Sequence, residues 1–314
     1  MKGAVRFIFF TSILALGHFA SSQTVLRREL SVEADNDAYT LNLTRDQYYS
    51  NGVAIKYRRL MDSSRWKPKH QKVIRSYYIN HRMYTPKRLY WTDTAQMDRP
   101  YAGHLTLAIS NEYYFKNSSY LQARFEASWM GPSINTGNVQ YEWHKFFNMQ
   151  LPQGWKYEVN DSPILNIYGT YANTLVSEKG FDMLSETNWA GGTAFNYVRQ
   201  EFVFRVGNFL PIYNSSLFNA VPGRVKDSGK QHEVFFFISP GIEYVIYNST
   251  IEGNLLGEEA IYTEDQVDWV YQTRAGLLFS WTKFDFALFY YRRTKETTES
   301  FFHKYMGIRL TQRF

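Results

Sequence analysis

Three short stretches of this 314-residue chain carry side chains suited to chemistry. In Glu33-Ala34-Asp35-Asn36-Asp37, three carboxylates and an amide fall within five residues. Hard oxygen donors at that density suit calcium, although the spacing is not that of an EF-hand loop. The same residue types also suit a polar strand end, where Asn and Asp turn the chain. In Tyr48-Tyr49-Ser50-Asn51-Gly52, Ser50 is a candidate nucleophile or ligand-binding hydroxyl. Asn-Gly is equally a turn signal, with Ser50 then a capping group. In Gln140-Tyr141-Glu142-Trp143-His144-Lys145, His144 is a natural base for activating water, since an imidazole titrates near neutrality. A solvated loop histidine is the simpler alternative. The chain has no cysteine, which excludes disulfides, thiolate metal sites and a cysteine nucleophile.

The elements that must position these residues are strands. Leu121, Ala123, Phe125, Ala127 and Trp129 alternate with Gln122, Arg124, Glu126, Ser128 and Met130. Leu105, Leu107 and Ile109 alternate with His104, Thr106 and Ser110, a phase that points His104 inward as a second histidine candidate. Val53, Ile55 and Tyr57 alternate with Ala54, Lys56 and Arg58, and Met306, Ile308 and Leu310 with Gly307, Arg309 and Thr311. One apolar face for lipid and one polar face for a lumen, over about ten residues, is the pattern of a transmembrane barrel strand. A soluble β-sandwich alternates too. Strand length, aromatic-rich strand ends (18% Phe, Trp and Tyr overall) and a final run ending in Phe314 favour the barrel.

The spans 26–36, 48–61, 73–84, 102–115, 119–131, 162–174, 181–197, 200–209, 233–247, 266–280, 283–294 and 302–314 are predicted strands. The fold class is therefore all-β: a closed antiparallel transmembrane β-barrel of about twelve strands, with a short helix over 138–148 in an outer loop. Residues 175–232 are the least regular part of the pattern. Before the strands, Lys2 and Arg6 precede the apolar run Phe7–Leu16 and the small residues Ala20-Ser21-Ser22, the order of a secretory signal. The division is a signal peptide over 1–22 and one barrel domain over 23–314. No later apolar run is long enough for a transmembrane helix. A net charge of +6 is too mild to suggest a nucleic-acid partner.

Short connections in such barrels face the periplasm and long ones face outward. The connections at 116–118 and 281–282 are short, whereas 37–47, 85–101, 132–161, 248–265 and 295–301 are long. With the N-terminus in the periplasm, Asn36, Asp37, Ser50 and His144 all fall at the outer end.

Several stretches together resemble the outer-membrane lipid A 3′-O-deacylase family. They are Asn36-Asp37 with Tyr49-Ser50-Asn51-Gly52 about twelve residues on, Tyr84-Thr85-Pro86, Asp98-Arg99-Pro100-Tyr101-Ala102-Gly103, and Gly131-Pro132 followed by Gln140, His144 and Gly154-Trp155. Arg205-Val206-Gly207, Glu252-Gly253-Asn254 and Arg293-Thr294-Lys295-Glu296 are also similar. The resemblance implies a twelve-stranded outer-membrane barrel that hydrolyses the ester of the 3′ acyl group of lipid A, with calcium assisting. It implies His144 as general base, with Asn36, Asp37 and Ser50 lining the site, and Asp37, Ser50 and Gln150 as metal ligands. Asp37 or another outer-loop carboxylate would orient the imidazole. Arg45, Arg99 and Lys145 are candidates for the lipid A phosphates, or ordinary solvated charges. The partner implied is lipid A or lipopolysaccharide, and the expected state is a membrane-embedded monomer.

One position departs from the family pattern, since Gln150 stands where a glutamate is expected. An amide oxygen can ligate calcium but adds no charge; Glu142 and Glu158 are nearby substitutes. There are two rival readings: an outer-membrane phospholipase with Ser50 as nucleophile, and a non-enzymatic pore or structural barrel whose lumen Arg124 and Glu126 would fill.

Overall fold

The computed structural model describes residues 25–40, 47–224 and 232–314; the signal segment 1–22 and Arg45 lie outside the described residues. Twelve strands form one closed sheet. They are β1 (Arg28–Asn36), β2 (Tyr48–Leu60), β3 (His70–Thr85), β4 (Ala102–Phe115), β5 (Ser119–Met130), β6 (Ser162–Glu178), β7 (Phe181–Gly192), β8 (Phe195–Asn208), β9 (Glu233–Asn248), β10 (Trp269–Ser280), β11 (Phe284–Arg293) and β12 (His303–Arg313). Each pairs antiparallel with its neighbour in sequence, and β1 pairs with β12 to close the barrel, from Glu29 opposite Arg313 to Asn36 opposite Met306. Closure excludes the sandwich, which needs two separate sheets. Among the described residues no helix is long and apolar enough to cross a membrane.

The alternation sorts side chains as the sequence predicts. Leu107, Ile109, Phe125, Trp129 and Leu310 are exposed on the outside. His104, Thr106, Ser110, Glu126 and Arg309 are buried on the opposite phase. Inside, charges meet as pairs: Arg124 Nε lies 3.2 Å from Glu126 Oε1, Arg58 Nη1 2.8 Å from Glu29 Oε1, and Arg293 Nη2 2.8 Å from Glu243 Oε1. Charges taken out of water must be paired to be tolerated. What stays open is two polar cavities of about 260 and 250 Å³.

The connections differ from the sequence expectation in two places. The β7–β8 turn sits at 193–194 and not at 198–199, so β7 is shorter and β8 starts earlier. Asn196 fixes it, accepting from Gly192 N at 2.8 Å and donating to Gly192 O at 3.1 Å. The second departure is the β8–β9 connection, which is long although it lies at the periplasmic end. Its described part folds into the lumen as a plug. Ile212, Phe218 and Ala220 join the core formed by Ile74, Tyr114, Val203 and Phe237. Lys72 Nζ donates to Ala220 O at 2.6 Å and Pro222 O at 3.2 Å, and Arg309 Nη2 donates to Ser216 O at 3.0 Å. Arg205, fully buried, pairs with Asp182 and reaches Ser215 Oγ at 2.9 Å.

Candidate functional site

At the outer end, one level of the barrel wall departs from the apolar pattern. Asn36 of β1 lies opposite Asn51 of β2, Asn51 opposite Met83 of β3, and Met83 opposite Gly103 of β4. By period two these residues share the outward phase of Leu30, Val53, Ile79 and Leu107. Polar or small residues thus replace large apolar ones on β1, β2 and β4, and Met83 on β3 is buried. Ser50 has no partner in the β2–β3 ladder, because the register shifts between Tyr49 and Asn51. This bulge re-aims the strand, and Ser50 Oγ, buried, donates to Met83 O at 3.4 Å. Asn36 Oδ1 accepts from Ala38 N at 2.7 Å, and Asp37 Oδ2 accepts from Gln47 N at 2.7 Å. The two side chains therefore fix the turn leaving β1 and pin it to the start of β2.

A helix covers the β3–β4 part of this patch from outside. The chain leaves β5 and forms α1 over Thr136–Phe146, near the predicted 138–148. Thr136, Gln140 and His144 are its buried residues, one every four positions on a single face. Thr136 Oγ1 lies 3.0 Å from Nε2 of His81, on the outward phase of β3. Gly103 is what lets the helix sit so close, since a Cβ there would come within 2.1 Å of Thr136 Oγ1. Gly137 plays the same part against the Trp155 ring, whose Nε1 donates to Gln140 Oε1 at 2.7 Å. The connection thus passes from β5 over β4 to β3, and two further turns, about 12 Å, carry the face on to His144. Three strands span about the same width.

His144 is 4% exposed, and its Nδ1 lies 2.5 Å from the carbonyl oxygen of Gln150. A carbonyl can only accept, so Nδ1 carries the proton and the basic lone pair is on Nε2. One orienting group is therefore a main-chain carbonyl, and Asp37 Oδ2 accepts from Gln47 N. Gln150 meets His144 through this carbonyl, while its side chain is exposed. Glu142 is exposed, 4.0 Å from Lys145. Glu158 is buried and accepts from Gly103 N at 2.8 Å. Burial pushes its carboxyl up to about 8. Asp161 accepts from Trp129 Nε1 at 2.8 Å and from Ser133 N and Oγ at 3.0 and 2.7 Å, and against its partial burial these bonds hold it below the usual carboxylate range.

The Asp98-Arg99-Pro100-Tyr101 stretch braces the outer loops. Tyr48 is left-handed (φ 47°), a conformation costing an aromatic residue about 1–3 kcal/mol. Two bonds offset it: Tyr48 OH donates to Asp98 Oδ2 at 2.7 Å and accepts from Phe301 N at 2.9 Å. Arg99 is buried, donating to Thr250 Oγ1 at 2.9 Å and to Glu296 Oε2 at 3.2 Å. Burial would raise Glu296, but Arg293, His303 and Arg99 outweigh it and hold the carboxyl at about 2. Arg99 is therefore neither a solvated charge nor open to a phosphate, contrary to the sequence expectation. His104 is fully buried inside the barrel, with Nε2 3.4 Å from Thr106 Oγ1 and its ring against Phe195.

The donors near the wall suit a hard cation in kind: the Asp37 carboxylate, the Ser50 hydroxyl and the Asn36 amide are all oxygen ligands. They are low in charge. Among the described residues no group of three or more His, Asp or Glu side chains gathers as a metal cluster. An ion there would depend on neutral oxygens and water. Sequence reasoning missed His81 and Thr136 and offered Glu158 only as a substitute for a metal ligand. The signal was present, since a histidine and a glycine on the lipid-facing phase of β3 and β4 call for protein cover.

A closed barrel with an apolar exterior, and a helix laid on its outer wall to bury an oriented histidine, define an outer-membrane β-barrel with a candidate hydrolytic site. The sequence profile described as outer membrane protein LpxR matches residues 7–314. The chain belongs to this LpxR family. Its fold is similar to that of LpxR from Salmonella typhimurium, with a TM-score of 0.73 at 17% identity, covering 91% of this chain and 100% of that one. The β domain of the Bordetella autotransporter BrkA matches with a TM-score of 0.49 at 8% identity, over 93% of this chain and 99% of that one. No curated protein sequence matches significantly.

Proposed function

We propose that the protein is a lipid A-modifying ester hydrolase that removes the 3′-linked acyl or acyloxyacyl group in the outer leaflet. The observation that carries this reading is the Nδ1 bond of His144 to the Gln150 carbonyl, which leaves Nε2 as the basic nitrogen of a buried imidazole. In this mechanism Nε2 takes a proton from water as its oxygen attacks the ester carbonyl. The tetrahedral intermediate then expels the sugar hydroxyl, which recovers the proton from the imidazolium, and the fatty acid is released. The Asn36 oxygen is spent on Ala38 N, so the amide offers its NH₂ to the developing oxyanion. The Ser50 bond to Met83 O favours water over serine as nucleophile, because it commits the hydroxyl proton to a carbonyl and not to a base. Calcium, where bound, would be held by Asp37 and Ser50, with Gln150 adding no charge, and would polarise the ester carbonyl. A lumen filled by ion pairs and a plug weighs against the pore reading.

The test is mass spectrometry of lipid A from a bacterium lacking the activity and expressing the full chain. Loss of one acyl or acyloxyacyl unit, absent with His144→Ala, supports the reaction and its base. Unchanged lipid A, with the protein folded in the outer membrane, overturns it.

A further inference from the structure

Helix α1 bears an apolar edge that no described part of the molecule covers. Val139, Trp143 and Phe146 are 54%, 59% and 68% exposed, and Phe147 just beyond is 52% exposed. At about 100° per residue, Val139, Trp143 and Phe146 fall within about 60° of one another, roughly a quarter turn from the Thr136, Gln140 and His144 face. Asn138, Glu142 and Lys145 form a third, polar edge opposite that face. A helix with one face on a wall, one polar edge and one apolar edge has the amphipathic form of an interfacial helix. Exposed apolar area of this kind marks a contact surface.

The barrel supplies the level. Trp129 stands one residue before the end of β5, and the chain enters α1 soon after it, at Thr136. The Trp129 ring is exposed on the lipid-facing phase, while Nε1 turns to Asp161 in the loop. A tryptophan with an apolar body outward and its N–H on a loop carboxylate belongs at the membrane–water border. Below that level, β4 and β5 present an apolar band in which Leu107 and Phe125 are exposed.

We propose that this apolar edge is seated among the acyl chains of the outer leaflet, so that α1 forms a membrane-side wall of the His144 site. The inference deepens the hydrolase reading and rests on it for its catalytic consequence, but its placement is testable without turnover. The cysteine-free chain allows nitroxide labels at Phe146→Cys, Phe147→Cys and Glu142→Cys. The full-length protein is placed in vesicles of phosphatidylethanolamine and phosphatidylglycerol. The ratio of relaxation by oxygen to relaxation by an aqueous nickel chelate is expected to be at least threefold higher at 146 and 147 than at 142. Equal nickel access at all three sites would overturn the proposal in favour of water. Shielding of 146 and 147 from both relaxants would overturn it in favour of a second copy. A combined Trp143→Ser, Phe146→Ser variant is expected to lose at least tenfold in rate on lipid A in vesicles and less than twofold on lipid A in detergent micelles. Equal losses in both would overturn the catalytic consequence. An inactive wild type with the oxygen preference intact would overturn the hydrolase reading and support the membrane seat.

Discussion

Each end of the barrel is covered by a long connection, and the two covers are fastened by different chemistry. The periplasmic plug enters the lumen and is held by buried charges: Arg205 on Leu210 O and Ser215 Oγ, Lys72 on two carbonyls, and Glu233 on the amides of Leu210 and Ser216. The outer helix α1 stays outside the wall, and its contacts shown among the described residues are neutral: Thr136 on His81, Trp155 on Gln140, and glycines that allow close approach. Charge-assisted bonds in a dry interior are costly to break one partner at a time. Neutral contacts on a rim cost less to part. The plug end is built to stay shut; under the proposed function the helix end is the side that would admit a substrate arriving in the membrane plane.

The sharpest way to separate the two ends is to strike each in turn. His144→Ala is expected to lower acyl release by about 10²–10⁴-fold, the contribution of a positioned base. Its folding, read by heat-dependent gel mobility, should not change. Arg205→Ala should do the reverse. It leaves Asp182 buried without its partner and should cost about 3–5 kcal/mol in urea unfolding from vesicles, with the folded fraction as active as wild type. If Arg205→Ala abolished activity in folded protein, the two ends would not be independent.

Smaller effects probe how α1 is held. Gly103→Val puts carbon where Thr136 sits, and should lower activity by about tenfold while moving the unfolding midpoint little. Calcium is the next lever. With Asp37 as the one charged ligand proposed among the described residues, chelation should reduce the rate only several-fold, and Gln150→Glu should lower the calcium concentration giving half-maximal rate. An unchanged rate in chelator, for both proteins, would remove the ion from the mechanism.

A last effect is on pH dependence. Burial raises the Glu158 carboxyl from 4.5 to about 8, so the folded state holds a proton that the unfolded state gives up. The stability this provides is complete below about 4.5 and is lost as pH rises through about 8. Wild type should therefore lose stability across that window, measured by unfolding at several pH values. Glu158→Gln, neutral throughout, should show a flatter profile.

Much of the barrel was legible because its signal is local and periodic. The phase of Leu105, Leu107 and Ile109, or of Phe125 and Trp129, follows from neighbours two residues away. The β7–β8 turn was missed because Phe195 and Tyr197 read as more strand, and only the Asn196 bonds to Gly192 mark the reversal. The plug was not legible at all. Nothing local in residues 209–224 says that Ile212 and Phe218 will be buried inside, because the groups that hold them there, Lys72, Arg205 and Arg309, come from distant strands. At the site, residue identities were legible and their roles less so. The orientation of His144 by the Gln150 carbonyl is a main-chain contact, which no side-chain type announces.

The seam between β1 and β12 carries a consequence in time. Asn36 and Asp37 leave the sheet at β1, and β1 gains its second neighbour only when β12 arrives. Asp35 packs where Gly307 of β12 leaves room for it, one residue before Asn36. A chain still being threaded outward, with its final hairpin unmade, has this corner as a loose edge. Under the proposed hydrolase reading, the corner that bears Asn36 and Asp37 is therefore complete only once the β1–β12 seam has closed.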